Sequence, residues 1–259
     1  MQKKFTLVVA GLLVYVLVCL ILALYLAANP YQPKASGIIH GDTQLPNLAA
    51  ISDIPTRKQA FIDLLLPMIE AKNAALLEVR EHLETLQEKN EHGRAERLRI
   101  ERLAKRYNID IDQADTHQLL DDLLLRIDTL PTSMVLAQAA AESGWGTSRF
   151  AREGFNLFGQ WCYIKGCGIV PRRRPAGARH EVQRFASVEQ AVNAYYRNIN
   201  SHRAYADLRL KRSDLRREGE TASGQQLIKS LDRYSSRGQV YIDELAELIR
   251  FNQLQRFDP

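Results

Sequence analysis

The sequence predicts a mainly helical domain carrying one small β-lobe, set behind an N-terminal transmembrane helix. Three observations carry that expectation: an uncharged apolar run near the start, a series of capped amphipathic segments, and one stretch punctuated by glycine and proline. With 259 residues, 46% of them hydrophobic, the chain has enough apolar material for a packed core, which excludes disorder throughout.

Phe5 to Ala28 is 24 residues without a charge, preceded by Lys3 and Lys4 and stopped by Asn29-Pro30. At about 1.5 Å per residue this run crosses a hydrocarbon core of roughly 30 Å. The two lysines hold the amino terminus in the cytoplasm. Residues 1–28 are therefore expected to form a cytoplasmic tip and a single-pass inner-membrane anchor, with the rest of the chain in the periplasm. A cleaved signal peptide is the competing reading, since Ala23, Ala27 and Ala28 supply small residues, but the run exceeds the usual apolar core of about 7–15 residues. Cys19 lies mid-span after the branched Val18, which disfavours a lipoprotein.

Residues 29–55 contain Pro30, Pro33, Pro46 and Pro55 with Gly37 and Gly41, and read as a tether. Residues 56–127 read as a helical N-terminal region. Phe61, Leu64, Leu65, Met68 and Ile69 form a stripe, Pro67 is expected to kink or break the helix, and a charged helix follows from Lys72 to Gln87. Gly93 marks a turn into Arg94 to Arg106, and Asp115-Thr116 caps a helix through Ile127.

Residues 128–259 read as the main domain. Asp128-Thr129 and Pro131 open an Ala-rich helix that ends at Glu142-Ser143-Gly144. From Phe158 to Phe185, Gly159, Gly166, Gly168, Pro171, Pro175 and Gly177 break the pattern into short pieces, an irregular β-rich lobe. Ser187-Val188-Glu189-Gln190 is a capping box for a helix through His202, and two more helices are expected near Gly224 to Leu231 and Val240 to Leu254.

Cys162 and Cys167 form an even pair that reads as a disulfide outside the cytoplasm, worth about 2 kcal/mol for so short a loop. The alternative, half a metal site, lacks a second Cys pair or a His pair, so no metal is expected. The formal charge is +5, and residues 165–217 hold 13 Lys or Arg against four acids, a face that attracts a polyanion. The expected compartment argues against nucleic acid and for a carboxylate-rich wall polymer.

The chemistry concentrates in Ala137 to Gly146. An apolar helix that ends in one carboxylate desolvates it, so the proton is held more tightly and is available to a leaving group. Trp145 beside it offers a flat face for a sugar ring, and Gly144 and Gly146 allow close backbone approach. This is the layout of a glycosidase. It needs no cofactor, and the chain carries no Rossmann or P-loop pattern. The bland reading of Glu142 is a surface glutamate at a helix end.

Ala137 to Gly146, Phe155-Asn156-Leu157-Phe158-Gly159, and Tyr234-Ser235-Ser236 with Tyr241 closely resemble the signature blocks of glycoside hydrolase family 73. These are the peptidoglycan β-N-acetylglucosaminidases of flagellar muramidases and autolysins. Arg57 to Phe61, Leu65-Leu66-Pro67, Gly159-Gln160-Trp161-Cys162 and Gly168 to Arg172 resemble the Bax-like branch of these proteins. The resemblance covers roughly residues 56–256. It implies a lysozyme-like α+β fold with a cleft, residues 128–259 as the catalytic domain, peptidoglycan glycan strands as substrate, and cleavage of the β-1,4 bond after N-acetylglucosamine.

Carried over by position, Glu142 matches the catalytic acid, Asn156 to Gly159 match the floor beside it, and Tyr234 and Tyr241 match a tyrosine pair near the cleft. The family places its second carboxylate on the β-lobe in a Thr-Glu-Tyr context. Here the lobe acid is Glu181, in His180-Glu181-Val182, which departs from that pattern. Glu181 is either the base of a two-carboxylate mechanism or a partner of Arg179 or Arg184. Substrate-assisted chemistry through the N-acetyl group would relieve it of the first role. Trp145, Phe158 and Trp161 are sugar platforms or core, the glycine-rich surroundings favouring the first two as platforms. Tyr195, Tyr234 and Tyr241 are candidates to bind the N-acetyl group, with Tyr195 better placed in the core. The rivals are a lytic transglycosylase on the same fold and a non-catalytic peptidoglycan-binding scaffold worked by the helices before residue 128.

Overall fold

The computed structural model describes residues 45–259. The expected anchor over residues 5–28 and the first part of the tether lie outside the described residues. Among the described residues no helix is long and apolar enough to cross a membrane.

Helix α1, Ile54–Gln87, runs unbroken for 34 residues. Asp53 caps it, accepting from the Thr56 backbone N–H at 2.9 Å. The expected break at Pro67 does not occur. Pro67 faces solvent, while Phe61, Leu65 and Ile69 on either side of it are fully buried and hold both halves to one core. Helix α3, Thr116–Arg126, packs along it and helix α2, Arg94–Arg106, packs on α3, which starts in a capping box between Asp115 and Gln118.

Helix α4, Thr132–Ser143, is apolar on every side and forms the centre of the molecule. From Thr132 to Ala140 every residue is buried. Its start departs from the sequence reading, because Asp128 does not cap it. Asp258, from the other end of the chain, accepts from the Ser133 N–H at 2.8 Å and the Ser133 hydroxyl at 2.6 Å. Asp128 is instead buried among Arg80, Arg212 and Arg216.

A short helix, α5 (Arg149–Gly154), leads to a three-stranded antiparallel sheet. Its strands are β1 (Trp161–Cys162), β2 (Gly168–Ile169) and β3 (Glu181–Gln183), in the order β1-β3-β2. Cys162 and Cys167 are disulfide-bonded. Then come α6 (Val188–Ser201), α7 (Ala206–Arg217), a short α8 (Gly224–Leu227) and α9 (Gln239–Phe251). Mainly helical with one small sheet, this is the expected class.

Helix α7 was not expected from the sequence. Its inward face carries Arg209 and Arg212, each 3% exposed, beside Leu208 and Leu215, so two charges interrupt the apolar stripe that marks a helix. The same burial corrects the reading of the basic stretch. Arg209 donates to the Ile199 and His202 carbonyls at 2.9 Å, and Arg212 and Arg216 serve Asp128, so these three cations are structural.

One buried core runs through the described residues, with Leu48, Phe61 and Leu65 in the same cluster as Met134, Tyr195 and Tyr241. The boundary expected at residue 127 separates no independent core. The tether, read as far as residue 55, has joined the fold by Leu48, which is fully buried.

Candidate active site

Helix α4 ends where Gly144, Trp145 and Gly146 take three successive left-handed conformations, with φ of +58°, +57° and +75°. This turn leaves Glu142 at the end of the buried helix with its carboxyl group half-buried. A Cβ on Gly146 would lie 2.6 Å from Leu48 and 3.2 Å from Phe61. Gly146 therefore serves chain packing, not the ligand approach read from the sequence. Trp145 follows the same direction. Its ring packs edge-on to Phe61 at 5.6 Å with the Lys58 ammonium 4.9 Å from its centre, which corrects its expected place as a sugar platform.

Four helical turns and loops converge on Glu142. One turn earlier on α4, Gln138 is fully buried and both ends of its amide are used. It accepts from the Tyr195 hydroxyl and donates to the Tyr241 oxygen at 3.1 Å. With its oxygen so occupied, the Tyr241 hydroxyl turns its proton towards the Glu142 carboxylate. Tyr234 stacks parallel to Tyr241 at 5.7 Å and donates to the Phe158 carbonyl at 2.7 Å. Phe158, 1% exposed, stacks on Tyr195 at 4.2 Å. Phe158 and Tyr195 are thus core supports of the site, which corrects Phe158 as a platform and Tyr195 as an N-acetyl contact and agrees with the core place that spacing gives Tyr195.

Gly159 completes the wall from the side. Its φ is +64°, and a Cβ there would lie 2.9 Å from a Glu142 carboxylate oxygen. Only glycine leaves the acid its place. The loop is held by Asn156, whose amide donates to the Gln160 and Gln183 carbonyls and accepts from the Phe158 and Gln160 N–H groups. At 2% exposure and with its hydrogen bonds spent, Asn156 builds the floor and is not free for substrate.

Burial pushes the Glu142 carboxyl above the ordinary carboxylate range. The Tyr241 hydroxyl and the Arg237 guanidinium pull it partly back, and Glu244 adds to the upward push. Arg237 and Glu244 pair at 2.7 Å, with the guanidinium 5.4 Å from the Tyr241 ring centre. Burial first, and the Glu142 charge second, push the Tyr241 phenol far above its usual range, so it stays a donor. The arrangement can hold a proton on a sheltered carboxyl group that lies beside the exposed Gly159.

This site sits in a chain whose relationships agree with its geometry. The glucosaminidase family model, described as mannosyl-glycoprotein endo-β-N-acetylglucosaminidase, matches residues 118–254. The chain belongs to the glucosaminidase family. It is 36% identical over 211 residues to the protein named bax of Escherichia coli (strain K12), covering 82% of this chain and 75% of that protein. No solved structure matches it.

In this glucosaminidase-family chain the second candidate carboxylate stands elsewhere. Glu181 is 5% exposed, and its two oxygens accept from the Gly166 N–H at 3.0 and 3.1 Å and the Gly168 N–H at 2.9 Å. Those bonds hold it below its ordinary range. A carboxylate spent on backbone donors anchors the disulfide hairpin and is not placed to activate water, which corrects its expected role as base. It also lies within 4.8 Å of Cys162 and Cys167, but their sulfurs are bonded to each other and offer no ligand.

On the lobe Tyr163 and Trp161 are exposed, and Trp161, 55% accessible, stacks on His180 at 4.1 Å. Of the three aromatics weighed as platforms, the one less favoured in sequence is the accessible one. Sequence reasoning missed Gln138, Arg237 and Glu244. Gln138 carried a signal: a lone amide in an apolar helix, four residues before the acid and so on the same face.

Proposed function

We propose that this chain is an inner-membrane-anchored periplasmic hydrolase that cuts the β-1,4 bond after N-acetylglucosamine in peptidoglycan, with Glu142 as general acid. The observation that carries this reading is a single one. A carboxyl group at the end of the buried helix α4 holds its proton more tightly because of burial and is oriented by the Tyr195-Gln138-Tyr241 chain. Family membership supports glycoside hydrolysis, and the uncharged run Phe5 to Ala28 supports the anchor. In the reaction Glu142 gives its proton to the glycosidic oxygen, a contribution of about 10²–10⁴-fold. Trp161 supplies a sugar platform on the lobe. Glu142→Gln keeps the shape and removes the proton, so digestion of purified wall in a gel should fall by about two orders of magnitude or more. Unchanged digestion would assign the chemistry to another residue.

A lytic transglycosylase is the second reading, and one observation favours it. With Glu181 committed to Gly166 and Gly168, Glu142 has no carboxylate partner on the lobe. Single-acid chemistry then ends in an anhydro-muramic product. Mass spectrometry of released muropeptides separates the two: reducing N-acetylglucosamine ends support hydrolysis, and anhydro-muramic ends overturn it.

A further inference from the structure

Where α1, α2 and α6 meet, on the side of α6 away from Glu142, lies a groove of about 360 Å³. Lys72, Arg106 and Arg197 line it over a floor of Leu76, Val79 and Leu103. Among the described residues none of these three cations is ion-paired. The contrast with the neighbouring core is direct, because Arg80, Arg212 and Arg216 gather on Asp128. We propose that this groove binds the carboxylates of a short acidic peptide, the peptide stem carried by the glycan. The identity of the peptide rests on the proposed function; the anion site does not.

Three facts point to separated carboxylates. The like charges strain one another: burial first, then Arg106 and Arg197, hold the Lys72 ammonium below its ordinary range, with Glu189 opposing. An anion relieves that repulsion. The donors are side chains on three helices, with Lys72 mid-α1, Arg106 in the last turn of α2 and Arg197 in α6, so no helix N-terminus offers the backbone N–H cradle that suits a compact phosphate. The apolar floor takes the methyl and methylene groups between charges, and Asn193 and Tyr107 on the rim suit peptide amides.

Position agrees with this ligand. Helix α6 carries Tyr195 towards the Glu142 site and Asn193, Tyr196 and Arg197 towards the groove. The two sites therefore flank one helix, about 10 Å thick, a span of three or four extended residues. Two walls of the groove, α1 and α2, precede residue 118, where the family match begins. The long helical region thus adds to the family domain a surface that domain lacks by itself.

The test is calorimetric titration of the full chain, in detergent, with the soluble stem peptide cleaved from peptidoglycan, its carboxylates free or amidated. The free peptide should bind and the amidated one should not. Lys72→Gln, Arg106→Gln and Arg197→Gln should each weaken binding by about 2- to 5-fold, and the triple variant should abolish it. Val79→Glu puts an acid on the floor without removing a cation and should weaken binding likewise, whereas Lys72→Arg should preserve it. Equal binding of the amidated peptide, or unchanged binding by the triple variant, overturns the proposal. So does a groove-dependent response to inorganic phosphate or to anionic phospholipid vesicles without one to the peptide. Glu142→Gln should bind the peptide as the wild type does. A chain that binds the peptide yet digests no wall loses the hydrolase reading and keeps the groove; digestion without peptide binding does the reverse.

Discussion

Alanine at position 159 separates the cost of a backbone from the cost of a displaced acid. The new Cβ would stand 2.9 Å from a Glu142 oxygen, so the carboxylate must retreat by about 0.5 Å to reach ordinary contact. Holding alanine at φ +64° costs about 1–2 kcal/mol, a fall in Tm of about 3–6 °C for a chain of this size. That leaves a protein of ordinary stability fully folded at 25 °C. Misplacing the acid by this amount should lower turnover about 10- to 100-fold. Gly177 is the matched control: its φ is +83° with nothing within 4 Å of a built Cβ, so Gly177→Ala carries the backbone cost alone. Thermal melts and clearance of purified wall sacculi, run on both variants, read the two effects apart. Should both variants melt alike and digest like the wild type, Gly159 does not shape the acid's position and the site is wrongly drawn.

Four further outcomes follow from the same geometry. Tyr241→Phe removes a hydrogen bond that favours charged Glu142, so the alkaline limb of the activity profile, where the raised carboxyl loses its proton, should move to higher pH; an unmoved limb would remove Glu142 as the acid. Because that folded-state value lies above the unfolded one, its stabilising contribution is present in acid and lost as pH rises through it, so Glu142→Gln should melt higher than wild type at neutral pH and equal to it in acid. For Asp128 the sign is opposite. Burial raises its pKa, but Arg212, Arg216 and Arg80 outweigh this and hold it low, so its contribution is present above the unfolded carboxylate range and lost as pH falls through the depressed value. Asp128→Asn should cost about 3–5 kcal/mol in urea unfolding at neutral pH and flatten that acid dependence. Glu181→Gln should loosen the hairpin to proteolysis while digestion falls less than about tenfold, against the 10²–10⁴-fold loss of a general base.

Most elements were legible because their causes are local. Ser187 and Gln190 cap α6 within one turn, Asp115 and Gln118 cap α3, and the apolar residues of Thr132 to Ala140 can form only a buried helix. Helix α7 is hidden because Arg209 and Arg212 face inward: Arg209 is satisfied by carbonyls just before the helix, and Arg212 by Thr129, 83 positions away. The unbroken α1 was misread because the effect of Pro67 depends on which way it faces. The same division runs through the site. Glu142 was legible as a carboxyl group ending an apolar helix, while the duties of Trp145, Asn156 and Glu181 were not, because each is decided by what packs against it.

By itself, then, the sequence determined the helical class, the lobe, the paired cysteines and the acid at the end of the Ala-rich helix. All of these follow from periodicity, capping and spacing over a few residues. Only the tertiary structure decided that Gln138 and Tyr241 orient Glu142, that Gly159 makes room for it, and that Glu181 is spent on two glycine amides. Those are contacts across 13 to 103 positions of chain, set by how close-packed side chains exclude one another.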